Sequence, residues 1–424
     1  MKFCIESEEK CRDTVEPVAL TGEEIMEVTK KSRVFICFDF KYPYQNANSN
    51  YIRSFAQAVA ENDNFDVIVI GAEQAEKTNT SVILETFGKT KFVNFRIPIS
   101  KIPFRLVNHL TFGSYLCQQL KAFAPTQEDY IILYNDYPDT YRQVLNKYRK
   151  LNEIGHISSI VVEWFQPYQY KFARMNPDYI LWNYNFTRWL PKFKKIISIS
   201  TYVSEHFERL GCDCLTVPCL SDISAQKAVI VEKSLTEKYH FTYVGAFVKK
   251  DAIPQMVQGL TLLDETELSR MCFHFTAITE KNVKEDCGIS EKEWDKIRNS
   301  LVFHGWMEYK DLLKFYQTMD FLVLAREKNV MTLSNFPSKV PEMMGYGIIP
   351  VCSDVGDYTA LYLEDGKDSI VFQGCSKEKC AAAIRRALEL SPERLVAMKH
   401  AARKKVEDKL DFHNWSDVLQ KFLK

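Results

Sequence analysis

The chain has 424 residues, enough for two domains of ordinary size, and its 55 Lys plus Arg balance 55 Asp plus Glu. A hydrophobic share of 46% with 26% charged residues is expected of a soluble globular protein, and the zero net charge offers no field for nucleic acid. No apolar run reaches the ~18 residues of a membrane span, and the start MKFCIESEEKCRD has no apolar leader core, so a cytoplasmic location is expected.

Twelve cysteines lie scattered, the closest pair being Cys212 and Cys214, which points to free thiols in a reducing compartment. Residues 1–32 read as a polar N-terminal extension with no assigned function. Val34–Phe38 is a buried-strand pattern, followed by a loop from Asp39 to Ser49 and a helix from about Asn50 to Glu61. Phe65–Gly71 is the next strand, and this strand–helix–strand opening suits a doubly wound sheet. In the loop, Tyr44, Gln45, Asn46, Asn48 and Ser49 offer polar groups; Asn48 either hydrogen-bonds a sugar or caps the helix. Strands follow at Tyr130–Tyr134 and Ser159–Val162. The second runs into Glu163, Trp164 and Phe165, a carboxylate and aromatics suited to sugar hydroxyls and C–H faces, or else to the core.

The stretch from Tyr141 to Lys195 holds 10 Lys/Arg, 3 Asp/Glu and 13 aromatics. It reads as a face resting on anionic lipid, as a site for a phosphorylated or lipid-linked acceptor, or as ordinary solvated surface. Nucleic acid is disfavoured, because no binding-module signature accompanies it. Ile196–Ser200 is a strand, Tyr202–Leu210 a helix and Leu215–Leu220 a further strand, before a mostly polar linker from Ser221 to Lys238.

The second half opens with the strand Phe241–Gly245, the loop Ala246–Asp251 and a helix from about Ala252. Gly245 lets the backbone come close to a phosphate, which Lys249 or Lys250 can neutralise. Further strands are Cys272–Thr276, Leu301–Trp306 with Gly305 near its end, and Phe321–Leu324. Arg326 follows the last of these: its fork of donors suits a phosphate pair, or it is a surface arginine beside Glu327. The chain is largely helical from Ala381 to Leu410, and Phe412–Trp415 turns into a last helix.

The most informative stretch is Leu333–Val351, LSNFPSKVPEMMGYGIIPV. Ser338 is a candidate N-cap with Pro341 in the first turn, Val340, Met343 and Met344 mark a buried face, and Gly345 and Gly347 end the helix before the strand Ile348–Cys352. Ser338 and Lys339 then sit at a helix N-terminus, which favours an anion. Glu342 lies one position too late for a capping box with Ser338, so local helix chemistry does not account for it.

FPSKVPEMMGYGIIPV resembles the nucleotide-sugar-binding segment of retaining glycosyltransferases of family 4, through Glu342, Met344, Gly347, Pro350 and Val351. The first glutamate of the family's motif falls on Ser334, and the FPSK start resembles a subgroup, common in bacterial surface and capsular polysaccharide pathways, that lacks that acid. The resemblance implies an α/β chain of GT-B fold: two Rossmann-like doubly wound domains with a cleft between them and a C-terminal helix crossing back. Residues 33–220 would form the acceptor domain, completed by the helix 411–424; 221–238 would be the linker and 239–410 the donor domain.

It further implies transfer of a sugar from a nucleoside-diphosphate sugar to a hydroxyl of a glycan or lipid-linked glycan, with retention and with no metal or other cofactor. Lys250 and Arg326 would be the catalytic cations on the leaving diphosphate, Arg326 replacing the arginine that the family has where Ala246 stands. Gly245, Lys249, Gly305, Ser338, Lys339 and Glu342 would bind the donor, Glu342 at the ribose and the backbone near Gly305 and Trp306 at the base. Asn48 and Glu163 would bind the acceptor, and Asn335 or a backbone carbonyl would stand in for the missing acid. A peripheral contact with the inner face of the membrane would run through residues 141–195. The rival readings are a nucleotide-sugar epimerase on the same fold and a degenerate, non-catalytic nucleotide-sugar-binding partner.

Overall fold

Strand β1 (Arg33–Phe38) has apolar side chains on both sides: Val34, Ile36 and Phe38 pack on one face of its sheet, Phe35 and Cys37 on the other. A strand apolar on both faces must be covered on both, and parallel sheets with flanking helices provide that cover. The computed structural model describes residues 31–43, 47–75, 84–98, 104–134, 137–166, 172, 175–230 and 237–424. Tyr44, Gln45, Asn46 and nearly all of the N-terminal extension lie outside the described residues.

The first sheet adds β2 (Asp66–Ala75), β3 (Glu85–Phe87), β4 (Thr90–Pro98), β5 (Tyr130–Tyr134), β6 (Ile157–Val161), β7 (Lys195–Ser198) and β8 (Asp213–Thr216). Their order is β3-β4-β2-β1-β5-β6-β7-β8, parallel throughout except for the β3–β4 pair. The second sheet contains β9 (Tyr239–Tyr243), β10 (Met271–Thr276), β11 (Leu301–Gly305), β12 (Phe321–Leu324), β13 (Ile349–Ser353) and β14 (Ile370–Phe372). It is wholly parallel, in the order β11-β10-β9-β12-β13-β14. Each sheet reverses its winding once, between β1 and β5 and between β9 and β12. Loops at the carboxyl ends of such neighbouring strands splay apart and leave a crevice.

The expected strands recur with shifts of a few residues; the strand expected at Leu215–Leu220 is displaced to Asp213–Thr216. The β3–β4 pair and the helix Phe104–Ala122 were not anticipated. The final helix Ser416–Leu423 packs on the first sheet's helix Ala47–Ala60 and buries Leu419 and Leu423, at about 1.5–3 kcal/mol per side chain. Gln420 accepts from Asn64 (2.6 Å) and donates to the Val59 carbonyl. Lys195, one of the basic residues of the 141–195 stretch, donates to the carbonyls of Phe422 (2.6 Å) and Leu423 (2.9 Å) and closes the helix's C-terminal end. The two crossings between the sheets run side by side, since Ser221 N–H donates to Leu410 and Phe412 N–H to Ser221. The ten described cysteines are unpaired. No helix among the described residues is long and apolar enough to cross a membrane.

Candidate active site

Two residues beyond the end of β9 lies Gly245, whose φ of +124° is a conformation that side-chain-bearing residues avoid. A Cβ there would lie 3.3 Å from Lys339 Nζ, so the bare backbone and the ammonium share one small space. The loop that follows carries Asp251, which is fully buried and accepts from Tyr243 Oη (2.7 Å), Arg326 Nε (2.7 Å) and Lys339 Nζ (3.4 Å). Burial alone would raise its pKa; the charges of Arg326 and Lys339 and the two hydrogen bonds outweigh that and hold the carboxyl well below its ordinary range. Tyr243 is pushed upward by burial and by the facing carboxylate. Lys339 lies 4.2 Å over the Tyr243 ring; burial, reinforced by Arg326 and Lys250 against the pull of Asp251, lowers its pKa to about 8.

The network continues across the cleft. Arg326 Nη1 donates to Asn335 Oδ1 (3.0 Å), Asn335 Nδ2 to Glu163 Oε1 (3.1 Å), and Lys250 Nζ to the same Glu163 oxygen (2.9 Å). Glu163 follows β6 of the first sheet; Lys250, Arg326 and Asn335 follow β9 and β12 of the second. The backbone N–H of Trp164 donates to Ser334 Oγ (3.1 Å), and Thr201 donates to Asp357 from its backbone (2.6 Å) and hydroxyl (2.8 Å). These contacts hold the two sheets' carboxyl ends face to face.

A cavity of about 220 Å³ opens between them, lined by Asn48 and Glu163 from one side and by Gly245, Lys250, Arg326, Ser338 and Lys339 from the other. Seven sequence-predicted residues therefore meet in one place. A second cavity of about 240 Å³ adjoins it through the shared residues Tyr51, Cys219 and Ser338, and is lined by Glu342, Arg53, Tyr309 and Tyr346. Glu342 is half-buried and accepts from Tyr309 Oη (3.1 Å) and Tyr316 Oη (3.4 Å). Burial raises its pKa, against those two bonds and the charge of Arg53. Arg53 comes from the first sheet's helix Ala47–Ala60 and lies 5.9 Å over the Tyr309 ring.

Several expectations need correction. Ser338 does not cap: its backbone is already helical, its side chain makes no cap bond, and the helix it precedes runs only from Lys339 to Met344. The turn starts earlier, with Val340 N–H donating to Pro337. Arg326 is not a surface arginine beside Glu327. It is 2% exposed and its charge is matched by Asp251, so it braces the cleft wall. Lys249 is exposed and outside the cavity lining, and Gly305 and Trp306, the latter 82% exposed, line neither cavity. Ser334 is buried, its hydroxyl donating to the Met331 carbonyl. Sequence reasoning missed Asp251, Tyr243, Arg53 and Tyr309. A carboxylate directly after two lysines in a phosphate-facing loop was the one available signal, for Asp251.

Two Rossmann-like α/β sheets facing across a cleft, with a C-terminal helix crossing back, constitute the GT-B fold. Residues 226–405 match the family profile described as Glycosyl transferases group 1, and the protein is a glycosyltransferase. No curated protein sequence matches the chain. Among solved structures, it is similar to sucrose-phosphate synthase from Thermosynechococcus elongatus (TM-score 0.68, 12% identity, 92% of this chain and 98% of that chain). It is similar too to the E. coli trehalose-6-phosphate structure bound with UDP-2-fluoro glucose (TM-score 0.64, 12% identity, 92% and 99%). A third similar structure is Anabaena HepE in complex with UDP and glucose (TM-score 0.60, 10% identity, 92% and 99%). At these identities the likeness is one of fold.

Proposed function

We propose that the protein moves a hexose, with retention of configuration, from a nucleoside-diphosphate sugar to a hydroxyl of a glycan or lipid-linked glycan. The observation that carries this reading is the pair of ammonium groups, Lys250 and Lys339, beside the bare Gly245 backbone, one cavity away from the half-buried Glu342. The leaving group is a diphosphate, so the main task is to stabilise negative charge as the glycosidic bond breaks. Fixed cations suit that task in a site screened from water, at about 2.7–4 kcal/mol per well-placed donor. No metal is called for in this reading. Arg326 acts by holding Asp251 and Asn335, and through them Lys339 and Glu163. Glu342 receives the ribose hydroxyls, and Glu163 with Asn48 the acceptor. A base of uridine type is supported by the ligands named for two of the similar structures. The acceptor reading rests on the sequence resemblance, and the peripheral contact with the inner membrane face on the basic and aromatic composition of residues 141–195.

The test is thermal stabilisation by UDP, GDP and ADP in wild type and in Glu342→Ala. One nucleotide, UDP on this reading, should stabilise wild type by about 2.7 kcal/mol at a hundredfold excess over its dissociation constant. A hydrogen bond to a charged acceptor contributes ~1.5–3 kcal/mol, so Glu342→Ala should bind that nucleotide about 10–100-fold more weakly. No shift with any of the three would remove the donor site. Turnover of the donor to a glycoside of unchanged anomeric configuration separates transfer from epimerisation and from binding alone.

Lys339 gives the site a pH dependence of known sign. Burial makes its charged form costly, so the folded protein is penalised below about pH 8 and relieved as pH rises from there toward the unfolded value of 10.5. A bound diphosphate favours the charged form instead, so binding takes up a proton between those limits. Affinity for the nucleoside diphosphate should therefore fall as pH rises through about 8, and the binding heat at pH 8–9 should vary with the buffer's ionisation enthalpy. Lys339→Met should abolish both effects; a flat wild-type profile would show that Lys339 does not meet the ligand.

A further inference from the structure

We propose that His240, Cys272 and His274, on the second sheet, form a binding site for a divalent metal ion of the zinc class. Cys272 of β10 lies in register with His240 of β9, and His274 follows Cys272 by two positions, so all three project from one face of the sheet. Their ligand atoms lie within 4.8 Å of one another, and His240 Nδ1 and His274 Nε2 face each other at 2.9 Å. A tetrahedral zinc with bonds of ~2.0–2.1 Å to nitrogen and ~2.3 Å to sulfur spaces its ligand atoms by about 3.3–3.6 Å. The two imidazoles need to part by a few tenths of an ångström, and the thiol to close by at most about 1.2 Å.

The donor set selects the ion. Two imidazoles and a thiolate suit zinc and its soft neighbours, whereas magnesium and calcium require oxygen. The site also has an outer support. His274 Nδ1 lies 2.9 Å from His304 Nε2, so a proton on Nδ1 fixes the ring and turns the Nε2 lone pair toward His240 and Cys272. Phe315 packs edge-on against both His274 and His304, on the side carrying the helix Tyr309–Tyr316.

His240 and Cys272 stand at the starts of β9 and β10, while Gly245 lies beyond the carboxyl end of β9. The ion is thus set apart from the diphosphate cavity, which those three residues do not line, and takes no part in sugar transfer. Its effect is structural: it ties β9 to β10 and, through His304, steadies the turn at Gly305. Three protein ligands leave the fourth position to water.

The experiment uses the full chain, stripped with a chelator and titrated with cobalt(II), then with zinc(II). Wild type should bind one equivalent of cobalt with a thiolate-to-metal absorption band in the near ultraviolet, which zinc then displaces. Cys272→Ser should abolish the band and weaken zinc binding at least 100-fold; His240→Gln, in case the cysteine variant misfolds, should weaken it at least tenfold. At equal concentration zinc should raise the melting temperature of wild type clearly more than that of either variant. Absence of stoichiometric binding, meaning the histidines form only a ladder of N–H···N bonds, overturns the proposal. So does a cobalt band that persists in Cys272→Ser, which would place the metal at another thiol.

Discussion

Replacing Arg326 with alanine is expected to destabilise the protein by about 3–5 kcal/mol, a larger effect than any exposed cation of the cleft could have. The guanidinium and the Asp251 carboxylate are 2% and 1% exposed and 2.7 Å apart, so the variant leaves a carboxylate buried with only Lys339, at 3.4 Å, as a charged partner. The urea midpoint should fall accordingly. The pair's contribution follows Asp251: it is present above the ordinary carboxylate pKa of about 3.9 and is lost as pH falls through the lowered folded value. The difference between wild type and variant should therefore shrink in acid. Arg326→Met, Asp251→Asn and Lys339→Met together remove all three linked charges at once and should recover much of the loss, because stranding one ion costs more than deleting the set. A single variant within about 1 kcal/mol of wild type would mean that Asp251 is satisfied without Arg326.

Lys250→Ala should lower turnover of the nucleotide sugar by about 10²–10³, the cost of removing one donor from a developing anion. Its melting temperature should stay near that of wild type. Lys250 and Glu163 form a part-exposed pair at 2.9 Å with side chains 29% and 27% accessible, and such pairs contribute ~1 kcal/mol or less. The two variants thus separate by readout: Arg326→Ala acts on stability, and Lys250→Ala acts on kcat. Glu163→Gln distinguishes a further case. If Lys250 serves only to hold the two sheets together, Glu163→Gln and Lys250→Ala should weaken binding of the nucleoside diphosphate equally; if Lys250 meets the diphosphate, only the lysine variant should weaken it strongly.

Much of the architecture was legible in the sequence because strands buried on both faces read as continuous apolar runs. Val34–Phe38, Tyr130–Tyr134 and Phe321–Leu324 all fall on observed strands. The β3–β4 pair escaped notice because β3 has three residues and depends on its neighbour for definition. The helix Phe104–Ala122 lacks an acidic first turn that would announce it. At the site, chain order revealed that Gly245 and Lys250, in the loop after β9, and Lys339 and Glu342, in the helix Lys339–Met344, belong to one end of a sheet, since each follows a strand or begins the next crossover.

What the chain alone determined is the class of fold and the supply of cations and acids at the strands' carboxyl ends; local patterns of hydrophobicity and glycine suffice for that. Only the tertiary structure decided which charges are spent on one another. Asp251 and Arg326 are 75 positions apart, and Lys250 and Glu163 87 apart, and no local rule pairs residues at such separations. Burial then sets their worth: a guanidinium sealed against a carboxylate holds the wall in place, while an ammonium kept partly open to the cleft remains able to meet a phosphate.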